Sequence, residues 1–152
     1  MTAKQLRLLV ENKTILESEL DCDYQAEPII GFFFKILKGQ LAITEKDTEN
    51  YKWHSFWLII RKSDRVVIGS ADFKDIPNDK HEVEIGYGLG KAFEHNGYMT
   101  EVVHAMCVWA MQQKSVLHVI AETDIDGLKS QGVLQRCGFK EYSRGKTIWW
   151  RL

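Results

Sequence analysis

Residues Val83 to Glu101 carry the pattern in this chain best suited to chemistry. Val83, Ile85 and Tyr87 alternate with Glu82, Glu84 and Gly86, the period-two signature of a strand. Glycines at 86, 88 and 90 then break the regularity. From Tyr98 the apolar residues move to helical spacing, through Val102, Ala105, Met106 and Trp109, so a helix is predicted to begin near Gly97. The first turn of such a helix presents N–H groups that have no partner inside it. With the helix dipole, they attract a phosphate or pyrophosphate. The strand ahead of the turn adds Glu82 and Glu84, two residues apart and so on one face.

Two familiar phosphate loops do not match. In the dinucleotide pattern Gly-x-Gly-x-x-Gly, the third glycine falls on Lys91 or Phe93 in the two registers available. In the P-loop, Gly90-Lys91 is followed by Ala92 and preceded at the required position by Ile85. A third loop does match. Glu84-Ile85-Gly86-Tyr87, followed after about ten residues by Gly97-Tyr98-Met99-Thr100-Glu101, resembles the strand–loop–helix core of the GNAT acyltransferases. It is most similar to the branch that acetylates ribosomal-protein N-termini. Val119-Ile120-Ala121-Glu122-Thr123 resembles the next core strand. Ser130 to Phe139 resembles the following helix and turn, and Trp149-Trp150-Arg151-Leu152 the last strand. The resemblance covers residues 55 to 152.

The resemblance implies an α/β (α+β) fold: a mixed, mostly antiparallel sheet of about six or seven strands flanked by about four helices. The strand before the loop and the strand after the long helix would run parallel and splay apart. Acetyl-CoA would lie in that wedge with its pantetheine bonded to strand backbone. Glu94, His95, Asn96, Gly97, Tyr98, Met99 and Thr100 would hold the pyrophosphate. The backbone of Ile85, Gly86 and Tyr87 would polarise the thioester carbonyl. Glu84, where the wedge opens, is expected to act as general base toward an amine acceptor, directly or through water, with Glu82 as substitute. The superfamily's tyrosine acid falls on Leu134 and is absent. Ser130 stands where the ribosomal branch places a serine on the sulfur; a helix-start serine bonded to backbone is the equal alternative. The chemistry needs no metal. The acceptor would be a small molecule or a protein N-terminus.

Three positions depart from that family pattern. Glu94 sets an anion beside the expected pyrophosphate, at a cost on the order of 1 kcal/mol at a solvated site. Either CoA binds more weakly or the loop turns Glu94 away. Met99 replaces a small residue, and Gly127 an asparagine that helps hold the pantetheine. They leave a second reading, a degenerate member that binds an acyl-CoA without turnover. A pure protein-interaction domain is a third, weakened by the Gly97 loop and Ser130. Of the histidines, His54, His81, His104 and His118 read as structural or surface residues, and His95 as a phosphate donor within the loop.

Bulk properties narrow the class. The length of 152 residues predicts a single domain, and the resemblance implies that 1–152 is one acetyltransferase domain. With 20 basic and 21 acidic residues, the net charge of −1 offers no field for nucleic acid or an anionic membrane. Cys22, Cys107 and Cys137 have no metal spacing and read as reduced thiols in a cytoplasmic protein. No signal peptide and no apolar run of spanning length is recognised.

The elements that must position these residues follow from periodicity. The first 25 residues read as two helical pieces, the second capped by Asn12 or Thr14, and Asp21 to Glu27 as a polar connector. Pro28 is predicted in the first turn of a helix reaching about Leu41, whose phenylalanines read mainly as core; the resemblance implies that they line one side of an acceptor groove. Asp47 to Lys52 reads as a loop. Ser55 to Arg61 reads as a strand buried on both faces, paired through the turn 62–65 with Val66 to Phe73. After the glycine loop come a helix of about 17 residues, the strand 117–123, a short helix over 127–137 and two strands. Trp149 and Trp150 alternate on the last strand, which leaves one open to a homodimer contact.

Overall fold

The computed structural model describes all residues from Met1 to Leu152. It resolves into two compact units, Met1–Phe73 with Tyr87–Glu94, and Lys74–Gly86 with His95–Leu152.

In the first unit, helix α1 (Ala3–Glu11) opens with a capping box. The Gln5 N–H donates to Thr2 Oγ1 at 3.3 Å, and Gln5 Oε1 accepts from the Thr2 N–H at 3.1 Å. Asn12 caps α2 (Lys13–Leu20) by accepting the Ile15 N–H. The expected polar connector holds a short strand, β1 (Asp23–Tyr24), parallel to Val66 and Val67. Helix α3 spans Gly31–Lys46, starting later and ending later than periodicity predicts. Pro28 lies outside it, in a turn whose Pro28 carbonyl accepts the Ile30 N–H at 2.9 Å. The later end follows from Gln40 and Thr44, which extend the buried stripe of Leu37 and Leu41 at helical spacing. Thr44 is tolerated there because its hydroxyl donates to the Gln40 carbonyl at 2.7 Å.

The expected loop after α3 contains the start of α4 (Tyr51–His54). Strand β2 (Trp57–Ile60) is only half-buried, not enclosed on both faces. It pairs with β3 (Val66–Phe73) alone, so one edge lacks a neighbour. Strand β3 is buried along its whole length. The β2–β3 hairpin is antiparallel, as predicted.

Gly69 in β3 is set by close approach of backbone. A Cβ there would stand inside contact distance of the Gly88 carbonyl oxygen and 3.1 Å from Leu89 Cα. Gly69→Ala is therefore expected to cost about 1–3 kcal/mol, read as a lower urea midpoint at unchanged slope. A variant as stable as the parent would show that the two backbones part without penalty.

Strand β4 (Glu82–Leu89) runs from the second unit into the first. In the second unit, α5 (Tyr98–Met111) is 14 residues long, shorter than predicted. β5 (His118–Asp124) and α6 (Leu128–Arg136) follow, with Gly127 and Cys137 as the caps of α6. β6 (Lys140–Arg144) and β7 (Thr147–Arg151) close the chain. Strand order is β1-β3-β4-β5-β7-β6, with β2 on β3. β4 and β5 are parallel, whereas β7 is antiparallel to both β5 and β6. The result is a mixed seven-stranded sheet with six helices, two more helices than expected.

Trp150 is 3% exposed, and its indole N–H donates to Thr123 Oγ1 at 3.0 Å; Trp149 is half-buried. No helix is long and apolar enough to cross a membrane.

Candidate active site

The second unit holds most of the residues singled out from the sequence. Its sheet has the feature that matters most. β4 and β5 are in register at Glu82↔His118, Val83↔Val119 and Glu84↔Ile120, and there the pairing ends. Both strands continue. Ile85 and Gly86 follow on β4, while Ala121 to Asp124 stay paired with β7 on their other side. Backbone groups between these strands are thus released from each other beside Glu84, and an extended ligand can bond to them.

Glu84 is half-buried and does not stand alone. Its carboxylate accepts from Lys74 Nζ in an ion pair, with the two side chains 20% and 51% exposed. The Lys74 N–H also donates to the Glu84 carbonyl at 3.0 Å, so the two residues face each other. Glu82 is 7% exposed and committed to structure. It accepts from Arg151 Nη2 at 2.6 Å and Asn78 Nδ2 at 3.3 Å. Ile85 is buried at 3% and Gly86 half-buried. Tyr87 and Glu94 are half-buried and belong to the first unit, Glu94 with extended backbone after the single 3-10 turn Lys91–Phe93.

The loop into α5 uses two left-handed residues, His95 at φ 65° and Gly97 at φ 80°. Gly97 is the N-cap and has no side chain to bond the first turn, so the amides of Tyr98, Met99 and Thr100 receive no side-chain cap. His95, Asn96 and Gly97 are exposed; Tyr98 and Thr100 are half-buried. Met99 is 6% exposed and joins Val103, Met106, Cys107 and Ala110 on the buried face of α5. Its bulk is spent in the core, one helical position away from the loop.

Arg136, which sequence reasoning passed over, reaches this helix start. Its Nε donates to Thr100 Oγ1 at 3.1 Å. A guanidinium opposes the helix dipole at an N-terminus and becomes favourable there when an anion is shared. In the sequence, Arg136 reads as a last-turn cation of its own helix. Only the packing of α6 on α5 carries it to Thr100. The adjacent Cys137 thiol donates to the Thr100 carbonyl at 3.4 Å, and burial pushes the Cys107 thiol up to about 12. Both are packing groups in the ground state.

Ser130 is half-buried in the first turn of α6. The turn ahead of it is clamped by Gln131, whose Nε2 donates to the carbonyls of Asp124 and Ile125 at 2.9 and 3.0 Å. Gly127 suits that turn, since a Cβ there would lie 3.1 Å from the Asp124 carbonyl oxygen. Leu134, at the position of the missing tyrosine, is fully buried. His81 and His118 donate through Nδ1 to the carbonyls of Ser115 and Leu152 at 3.2 and 3.3 Å.

In the first unit, a groove of about 500 Å³ is lined by Leu9, Val10, Tyr24, Pro28, Ile29 and Phe34, among others. Phe33 packs edge-on against Phe56 at 5.7 Å, and Phe32 is 79% exposed. One of the three phenylalanines thus packs in the core, one lines a groove and one faces solvent.

Comparison with known proteins agrees with this geometry. A family model described as an acetyltransferase (GNAT) domain matches residues 25–140. An uncharacterized N-acetyltransferase of Bacillus subtilis, YjdG, is 25% identical over 149 residues, covering 91% of this chain and 88% of that protein. A ribosomal-protein-S5-alanine acetyltransferase from Vibrio fischeri has a similar fold, with TM-score 0.67 at 17% identity over 100% of this chain and 89% of its own. A spermidine N-acetyltransferase chimera of Vibrio cholerae SpeG and hSSAT gives TM-score 0.67 at 11% identity, covering 100% and 91%. With the family match spanning well over half of its residues and the parallel β4–β5 pair parting beside Glu84, this chain belongs to the GNAT acetyltransferases, a family of CoA-dependent acyl transfer.

Proposed function

We propose that residues 1–152 act as one N-acetyltransferase domain that moves an acetyl group from acetyl-CoA to a primary amine by direct attack in a ternary complex. The observation that carries this reading is the end of β4–β5 pairing at Glu84↔Ile120, in the same unit as an α5 N-terminus without a side-chain cap. The donor set suits acetyl-CoA. Strand backbone beyond Glu84 matches the amides of an extended tail, while the Tyr98 to Thr100 amides and Arg136 match a diphosphate.

Acetyl-CoA supplies the activated thioester; the protein supplies alignment and charge. Glu84 takes the proton of the attacking amine, directly or through water. The amides of Ile85, Gly86 and Tyr87 stabilise the charge that develops on the carbonyl oxygen. Ser130 meets the departing sulfur. His95, Asn96 and Gly97 shape the loop, and Gly127 the turn before α6. The acceptors named for its structural neighbours, an alanine of ribosomal protein S5 and spermidine, fit a primary-amine acceptor. The ribosomal-protein branch is the one this sequence resembles, and the three free thiols suit the cytoplasm.

The test is a melting curve and a thiol-release assay on one preparation. Acetyl-CoA at about 100 Kd is expected to stabilise the fold by about 2.7 kcal/mol. A peptide N-terminus or an alkylpolyamine is then expected to release CoA thiol. No melting shift at saturating acetyl-CoA would remove the reading. A shift without thiol release from any primary amine would support the degenerate alternative.

A further inference from the structure

We infer that Lys74 is a self-acetylation site, the acceptor this protein carries within its own chain. The inference rests on the proposed function, with Glu84 as base beside the thioester. Lys74 Nζ is a primary amine on a flexible alkyl stem, and it is already hydrogen-bonded to the Glu84 carboxylate. An external amine that hands its proton directly to Glu84 would have to take that same place. Lys74 follows directly on β3 and is anchored to β4 by its backbone bond to the Glu84 carbonyl, so its side chain need not search for the carboxylate.

The exposures agree with a reacting group rather than a buried strut. The Lys74 side chain is 51% exposed and the Glu84 side chain only 20%. The amine is reachable, while the base is sheltered from water. An ordinary cross-strand ion pair at this exposure contributes little to stability, so stability alone gives a weak reason for it.

The step balances. Lys74 Nζ gives a proton to Glu84, and its lone pair attacks the thioester carbonyl carbon. The C–N bond forms, the C–S bond breaks, and the CoA sulfur leaves as thiolate and takes up the second proton that Nζ loses on becoming an amide. The products are N-acetylated Lys74 and free CoA thiol. The new amide is uncharged, so the ion pair on Glu84 is lost.

The experiment incubates the full chain with acetyl-CoA and no added amine, then maps acetylated lysines by mass spectrometry over time. Lys74 is expected to be acetylated at least about 10-fold faster than the exposed Lys4 and Lys140, which report background chemistry. Glu84→Gln should bring Lys74 down to that background, and Lys74→Arg should abolish the fast site while keeping a cation beside Glu84. Acetyl-CoA binding, read by melting temperature, separates the two layers of the argument. If acetyl-CoA binds and Lys74 reacts no faster than Lys4 and Lys140, self-acetylation is wrong and the transferase reading stands. If acetyl-CoA does not bind, the transferase reading falls and this inference with it. Fast Lys74 acetylation that survives Glu84→Gln would also overturn it, because the carboxylate would then have no part.

Discussion

Glu84→Gln is expected to lower kcat about 10²- to 10⁴-fold with little change in the KM for acetyl-CoA. Glutamine keeps the size and the hydrogen-bonding shape but cannot accept a proton from an ammonium. The β4 backbone that would bond the cosubstrate is untouched, so binding of acetyl-CoA is retained. Lys74 loses its anionic partner, yet its side chain is 51% exposed and water can replace the lost contact. The fold should therefore keep its melting temperature. Thiol release against acetyl-CoA concentration, beside a melting curve, separates these effects. An unchanged kcat would remove Glu84 from the proton transfer. A large drop in melting temperature would instead assign Glu84 a structural task shared with Lys74.

Phe73→Ala is expected to cost about 3–5 kcal/mol of stability. Phe73 ends the fully buried strand β3 and has no exposed surface. Its ring meets that of Trp53 at 5.1 Å and an interplanar angle of 60°, an edge-on pair that adds to the area buried. Alanine would leave a cavity that rigid strand backbone cannot fill. Against a typical total of about 5–15 kcal/mol, the loss is a large fraction. A urea midpoint well below the parent's at similar slope is the expected readout. Phe73→Leu, which keeps most of the volume, should cost about 1.5 kcal/mol or less. Equal costs for the two variants would mean that the site collapses around alanine.

The start of α5 was readable because it rests on local rules: the period changes from two to 3.6 residues, and Gly97 supplies the φ of 80° at the cap. α6 and the two last strands were readable in the same way. β1 was not. Its two residues carry no periodicity, and they form a strand only because Val66 and Val67 offer a partner far along the chain. The end of α3 was missed because Gln40 and Thr44 are polar by type. Burial with an internal hydrogen bond makes them part of the core stripe.

The sequence alone specified most strands and helices in their order, though not β1 or α4, together with the glycine loop and the carboxylate on the strand before it. These depend on residue type and spacing over a few turns of chain. Tertiary structure alone decided where β4 and β5 part, that Met99 turns into the core, that Arg136 reaches Thr100, and that Lys74 lies on Glu84. Each depends on register or packing between separate elements, which spacing along a single element does not carry. A one-residue slip in register would turn the Glu84 side chain to the opposite face of the sheet.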